Sequence, residues 1–250
     1  MGCMKHIMRH IRWVGVGLSA LLLVVGCSVV DFEVDIPSAY DYGDNGSSGE
    51  GDLAIGTLRS KDGVRYIKLD ENTCSHVVNP GTVTDIPDGT RVFLEFRYIV
   101  YGAVAAFCTD AILVEWASQI DAGDVHFLDF EESFSIEAVQ SAKYTDPMDI
   151  VTDWMTSLED GFLTLHYSIP KSGDKAHRFS LYRSMGNRNL FYLIHNAEGD
   201  TKGTLSDGII CFDVSPLLPE TGDETVKLSF VYIDLNNTEK RLTFDYRSSK

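Results

Sequence analysis

The chain has 250 residues, 37 acidic against 21 basic side chains and a formal charge of −16. Such a balance argues against nucleic acid and anionic bilayer surfaces as ligands and leaves cationic partners open. Many Val, Ile, Thr, Tyr and Phe residues favour strands over helices, so an all-β fold is expected.

The first segment is a leader. Lys5, His6, Arg9, His10 and Arg12 form a positive start, and Trp13 to Val25 is an uncharged run rich in Leu and Val. As a helix that run is roughly 20 Å long, well short of a ~30 Å hydrocarbon core, so it reads as a signal segment rather than a stable span. Val24-Val25-Gly26-Cys27 follows, and the tetrad resembles the lipobox of bacterial lipoproteins. The resemblance implies cleavage after Gly26 and acylation of Cys27 (palmitate or a similar chain), which becomes the first mature residue. Several acyl chains at about 0.8 kcal/mol per CH₂ make such an anchor effectively permanent. The expected location is therefore the cell envelope. Ser28 follows Cys27 rather than Asp, which favours the outer membrane and leaves its periplasmic or surface side open.

With residues 1–26 set aside, 224 residues remain (250 less 26). Three basic residues leave with the leader, so 18 bases (21 less 3) face 37 acids. Residues 27–52 read as a flexible acidic tether, because Asp41 to Asp52 is Gly- and Ser-rich and has nothing with which to build a core.

A first β domain is expected over 53–125. Leu53 to Leu58, Val64 to Leu69, Arg91 to Tyr101 and Ala105 to Trp116 read as strands. Asp62-Gly63 is a hairpin signal between the first two, and Pro87-Asp88-Gly89 is a turn. About five strands in such a length suit a small OB-like barrel, with a split sandwich as the competing arrangement. Residues 126–145 form a connector with some helical character, Ile136 and Val139 sharing a face.

A second domain is expected over 146–250. Phe162 to Tyr167 alternates cleanly, placing Leu163, Leu165 and Tyr167 on one face and Thr164 and His166 on the other, with His166 toward solvent. Its strand is expected to end at Pro170. His177 to Tyr182, Asn189 to Ile194, Gly208 to Val214, Val226 to Ile233 and Arg241 to Tyr246 continue the pattern. About seven strands with turn signals between them indicate an immunoglobulin-like β-sandwich.

Cys74 and Cys108 fall in one domain of an exported chain and are a candidate disulfide pair. Cys211 lies within an apolar strand pattern and reads as a buried free thiol.

No catalytic constellation emerges. Ser168-Ile-Pro-Lys171 matches S-x-x-K, but that motif needs its Ser at a helix start, and here it sits in a strand. There is no H-E-x-x-H, C-x-x-C or G-x-S-x-G. His195-Asn196 with Asp200 is read as a turn held by backbone hydrogen bonds rather than a ligand cluster. No enzyme activity, metal or cofactor is expected. Tyr98, Tyr101, Trp116 and Trp154 are the residues that could line a binding face.

Several stretches resemble one family. Ile55-Gly56-Thr57, Pro87-Asp-Gly-Thr-Arg-Val92, Asp146-Pro147, Phe162-Leu-Thr-Leu-His-Tyr167, Leu193 to Asp200 and Gly208 to Ser215 are similar, in the same order, to the NigD-like lipoproteins. The resemblance implies an N-terminal OB-like domain, a C-terminal β-sandwich and a binding or protective role resembling bacteriocin immunity, with a protein partner. A glycan- or small-ligand-binding lipoprotein is the alternative.

Overall fold

The computed structural model describes residues 51–70, 73–99, 104–127, 145–173, 175–184 and 186–248. The leader, Cys27, nearly all of the tether, Tyr101 and the connector's Ile136 and Val139 lie outside them. The described chain forms fifteen strands and two short 3₁₀ turns, with no α-helix among the described residues.

The first five strands close a barrel in the order β1-β2-β3-β5-β4, back to β1. They are β1 (Asp52–Lys61), β2 (Val64–Lys68), β3 (Cys74–Val77), β4 (Arg91–Tyr98) and β5 (Asp110–Gln119). Lys61 pairs with Val64, leaving Asp62 and Gly63 as a two-residue loop at φ 52° and 79°. Two positive φ values in sequence match the twist of the flanking strands, which is why Asp-Gly serves there. Inward residues alternate along each strand: Leu58, Ile67, Val77, Val92, Leu94, Ile112 and Val114 fill the barrel. Closure and the parallel β3–β5 pair make this the OB-like barrel rather than the split sandwich.

The second unit is a two-sheet sandwich. One sheet holds β6 (Asp121–Ala122), β13 (Thr204–Asp213), β10 (Phe162–Lys171) and β8 (Asp149–Val151), with β9 (Ser157–Glu159) also on β10. The other runs β15 (Glu239–Tyr246), β14 (Val226–Ile233), β12 (Leu190–Asn196), β11 (Arg178–Arg183) and β7 (Asp124–Phe127). Leu163, Leu165, Tyr167 and Ile169 of β10 face Phe191, Leu193, Leu228 and Phe230 of the opposite sheet in one core. Each such side chain, fully buried, contributes about 1.5–3 kcal/mol.

The sequence placed the first domain at 53–125 and the connector at 126–145. The barrel's last strand ends at Gln119. Residues 121–127 pair instead with the sandwich, β6 beside β13 and β7 beside β11. Between them the chain passes from one sheet to the other at Gly123, where an added Cβ would lie 2.2 Å from the Phe212 ring. Only a residue without a side chain turns that corner. β10 also continues through Pro170 to Lys171. Its β8 partner stops at Ser168, so the proline occupies a stretch flanked by β13 alone, where a missing N–H is tolerated.

Candidate binding site at the domain junction

Barrel and sandwich meet along the outward face of β4 and the outward face of β10 and β13. Because side chains alternate, Arg91 and Phe93 point out of the barrel while Val92 and Leu94 point in. Ile55, Phe93 and Ile120 pack against Met155, Ile209 and Cys211, all buried. The same alternation turns Thr164 and His166 toward the barrel. His166 is therefore not solvent-facing: it is 7% exposed, and its Nδ1 lies 2.8 Å from Asp153 Oδ2. The alternation holds, but the face opposite the sandwich core is not open to water: the turn between β8 and β9 lies on His166 through Asp153 and Thr156, and Arg91 of the barrel meets Thr164.

Arg91 is 1% exposed. Its Nε donates to Thr164 Oγ1 at 3.3 Å, and its two terminal nitrogens donate to Thr57 Oγ1 and Glu159 Oε2, each at 3.2 Å. Burial lowers its pKa from the usual guanidinium value, and the Glu159 carboxylate opposes that shift. Asp160 forms a second clasp, accepting from Arg59 at 2.9 Å and Lys68 at 2.6 Å. Burial pushes the Asp160 carboxyl up, but Lys68 and Arg59 outweigh it and hold the group below its ordinary value. Asp160 and Gly161, at φ 49° and 79°, are the hairpin turn between β9 and β10. Sequence reasoning missed this Asp-Gly hairpin signal, because the strand before it is only three residues long.

At the rim of this junction the structure brings Trp116 and Trp154 onto one ring. Phe93 meets Trp116 edge-on at 5.4 Å between centroids and stacks with Trp154 at 6.0 Å. The Trp116 indole N–H donates to Glu95 Oε2. Trp154 is held outward by a local turn: Asp153 Oδ1 accepts from Met155 N at 3.0 Å, and Thr156 Oγ1 accepts from His166 N at 3.0 Å. That turn sits between β8 and β9, both paired to β10. The result is an indole 37% exposed on a rigid mount, with Asp153 beside it and Glu95 held by the neighbouring Trp116. Tyr98 is exposed too, but it contacts Phe96, outside this aromatic group.

A second polar cluster lies in the sandwich. His195 Nδ1 is 3.3 Å from the Pro147 carbonyl, which only accepts, so that nitrogen carries the proton. Its Nε2 then accepts from His177 Nδ1 at 2.8 Å, and His177 Nε2 lies 3.7 Å from Asp200 Oδ2. Burial, and then His177, lower the His195 pKa to about 4. Asp200 accepts from the Ser172 hydroxyl and from the backbone N–H of Ser172 and Gly173, which hold it below its ordinary value. A nucleophilic serine needs its hydroxyl on an imidazole base. Here Ser172 donates to the carboxylate, so the group locks two turns together. The sequence singled out His195 and Asp200 but not His177, which links them from β11's approach.

Cys74 and Cys108 stand as a disulfide with their Cα atoms 4.7 Å apart, and Cys211 is free and buried. Burial pushes the Cys211 thiol up to about 12. Among the described residues no three His, Cys, Asp or Glu side chains converge as a metal site.

No curated protein matches the chain. Among solved structures, a proposed toxin-related protein from Parabacteroides distasonis aligns at TM-score 0.62 and 21% identity, over 78% of this chain and 92% of its own. A NigD-like immunity protein from Bacteroides caccae aligns at 0.53 and 16%, over 84% and 100%. A proposed lipoprotein from Bacteroides fragilis aligns at 0.52 and 12%, over 79% and 99%. These likenesses share the fold. Residues 133–246 match the family model of the NigD-like C-terminal beta sandwich domain, to which the second unit of this chain is similar.

Proposed function

We propose that the chain is a cell-envelope lipoprotein, anchored through Cys27, that works without catalysis as a binding or protective module. Its recognition face is the Trp154 rim of the domain junction, and its ligand is a protein, in a role resembling bacteriocin immunity. One observation carries the choice of face: Trp154 is exposed while stacked on Phe93 and pinned by the Asp153–Thr156 turn. A large aromatic side chain fixed in place loses little entropy on binding and is a common anchor of interfaces. The acidic exterior favours a cationic partner. The names of the Bacteroides caccae and Bacteroides fragilis neighbours agree with an envelope immunity role.

The test is crosslinking in intact envelopes followed by capture of the full chain. The expected result is a protein partner recovered with the wild type and lost with Trp154→Ala. Recovery unchanged by Trp154→Ala refutes this face. A glycan ligand is the second reading, favoured by the carboxylates of Asp153 and Glu95 around the indole. It requires a glycan-array signal that Trp154→Ala removes. For the anchor, Cys27→Ala is expected to abolish labelling by radioactive palmitate; unchanged labelling refutes it.

A further inference from the structure

We infer that a second copy of this chain pairs with the free edge of β15, joining two five-stranded sheets into one across a two-fold axis. Among the described residues β14 is the strand that pairs with β15, through an unbroken register from Val226–Tyr246 to Ile233–Glu239. β15 is eight residues long and ends the sheet. Such an edge presents unpaired backbone groups to any extended chain.

Charged side chains usually discourage edge pairing, and β15 carries several. Their order, however, is self-complementary. On the face away from the core lie Glu239, Arg241, Thr243 and Asp245, followed by Arg247, all exposed. Leu242, Phe244 and Tyr246 turn the other way and pack at the margin of the sandwich core, half-buried. Two copies running antiparallel, centred on Thr243, set Arg241 opposite Asp245 of the other copy, twice. The same register sets Glu239 opposite Arg247 twice, and Leu242 opposite Phe244 on the core side.

Neighbouring registers fail. Moving the centre to Leu242 sets Glu239 against Asp245, and moving it to Phe244 sets Arg241 against Arg247. Centres on Arg241 or Asp245 place like charges face to face. A half-step shift turns Leu242 and Phe244 outward on one copy relative to the other. Opposite charges directly across a strand pair attract and like charges repel. The charges thus exclude every nearby alignment but one, as expected of an edge that admits its own copy and rejects other strands. The present intrachain partners, Lys227 for Asp245, Asp223 for Arg247 and Glu239 for Arg241, are exposed pairs that leave room for a second. An isologous two-fold contact is also the commonest closed assembly of identical chains.

The test uses the full chain in detergent. In the proposed register the two Thr243 side chains face one another with Cβ atoms about 5 Å apart. Two copies of Arg241 are offset by four residues, about 13 Å along the strand. Mild oxidation of Thr243→Cys is expected to give a disulfide-linked dimer on non-reducing gels, several-fold above the wild-type background. Arg241→Cys is expected to stay at that background. Independently, Asp245→Arg is expected to weaken dimerisation in sedimentation velocity about tenfold, and Arg241→Asp with Asp245→Arg to restore it. A wild type that remains monomeric to roughly 100 μM overturns the proposal. So does equal crosslinking at 243 and 241, or a charge swap that fails to restore the dimer. Trp154→Ala is not expected to alter the dimer, so this result is separable from that for the recognition face.

Discussion

Arg91 shows how much depends on one side chain at the junction. It is a buried cation held by Thr57, Thr164 and Glu159. Arg91→Ala removes the partner from those groups and leaves a void between the domains. The expected loss is about 3–5 kcal/mol in chemical denaturation, whereas Arg91→Met, which keeps the volume, costs less. His195 makes a pH prediction. Its folded pKa of about 4 lies below the unfolded value of 6.5, so between these values the unfolded chain binds the proton. Its contribution is fully present above about pH 6.5 and is lost as pH falls toward 4. The size is about 3 kcal/mol. Denaturation midpoints of the wild type are expected to fall across that window, and those of His195→Asn to fall less steeply. At this scale the sequence showed which residues were unusual but not what faced them. Arg91 is buried against Thr164 and Glu159 of the second domain, and His166 against Asp153 in the turn between β8 and β9.

At the scale of elements, strands with strong alternation were legible. Val226–Ile233 stands where the pattern placed it, and Phe162 to Tyr167 was placed on the right faces. Short strands were not: β3, β6, β7 and β9 have four residues or fewer, too few to establish a period. They exist because a neighbour offers a ladder, as β10 does for β9. The β9–β10 hairpin matters most, since its Asp160 clasps Arg59 and Lys68 of the barrel. Asp160→Ala is expected to cost about 1–2 kcal/mol, after allowance for the half-exposed cations. Its signature in calorimetry is a single transition that splits in two. The Cys74–Cys108 link, whose ends have a sequence separation of 34, ties β3 to the loop before β5. Its loss in Cys74→Ser with Cys108→Ser is expected to destabilise the barrel by about 2–4 kcal/mol, read in a denaturation series.

At the scale of the molecule, two domains share an apolar junction rather than a linker. A chain cut after Gln119 leaves Ile55, Phe93 and Trp116 without Met155, Ile209 and Cys211. That fragment is expected to aggregate or to bind a hydrophobic dye, where the full chain stays dispersed. The sequence by itself determined the all-β class, the two-domain order, the candidate anchor and the alternation of the long strands, since these are local: a period of two, a turn residue, an apolar run. The tertiary structure decided where the barrel ends, which outward faces are covered, and that Trp116 and Trp154 meet on Phe93. Those outcomes depend on contacts between residues far apart in the chain, such as Phe93 with Trp154, and no local pattern encodes which of two exposed-looking faces another domain will cover.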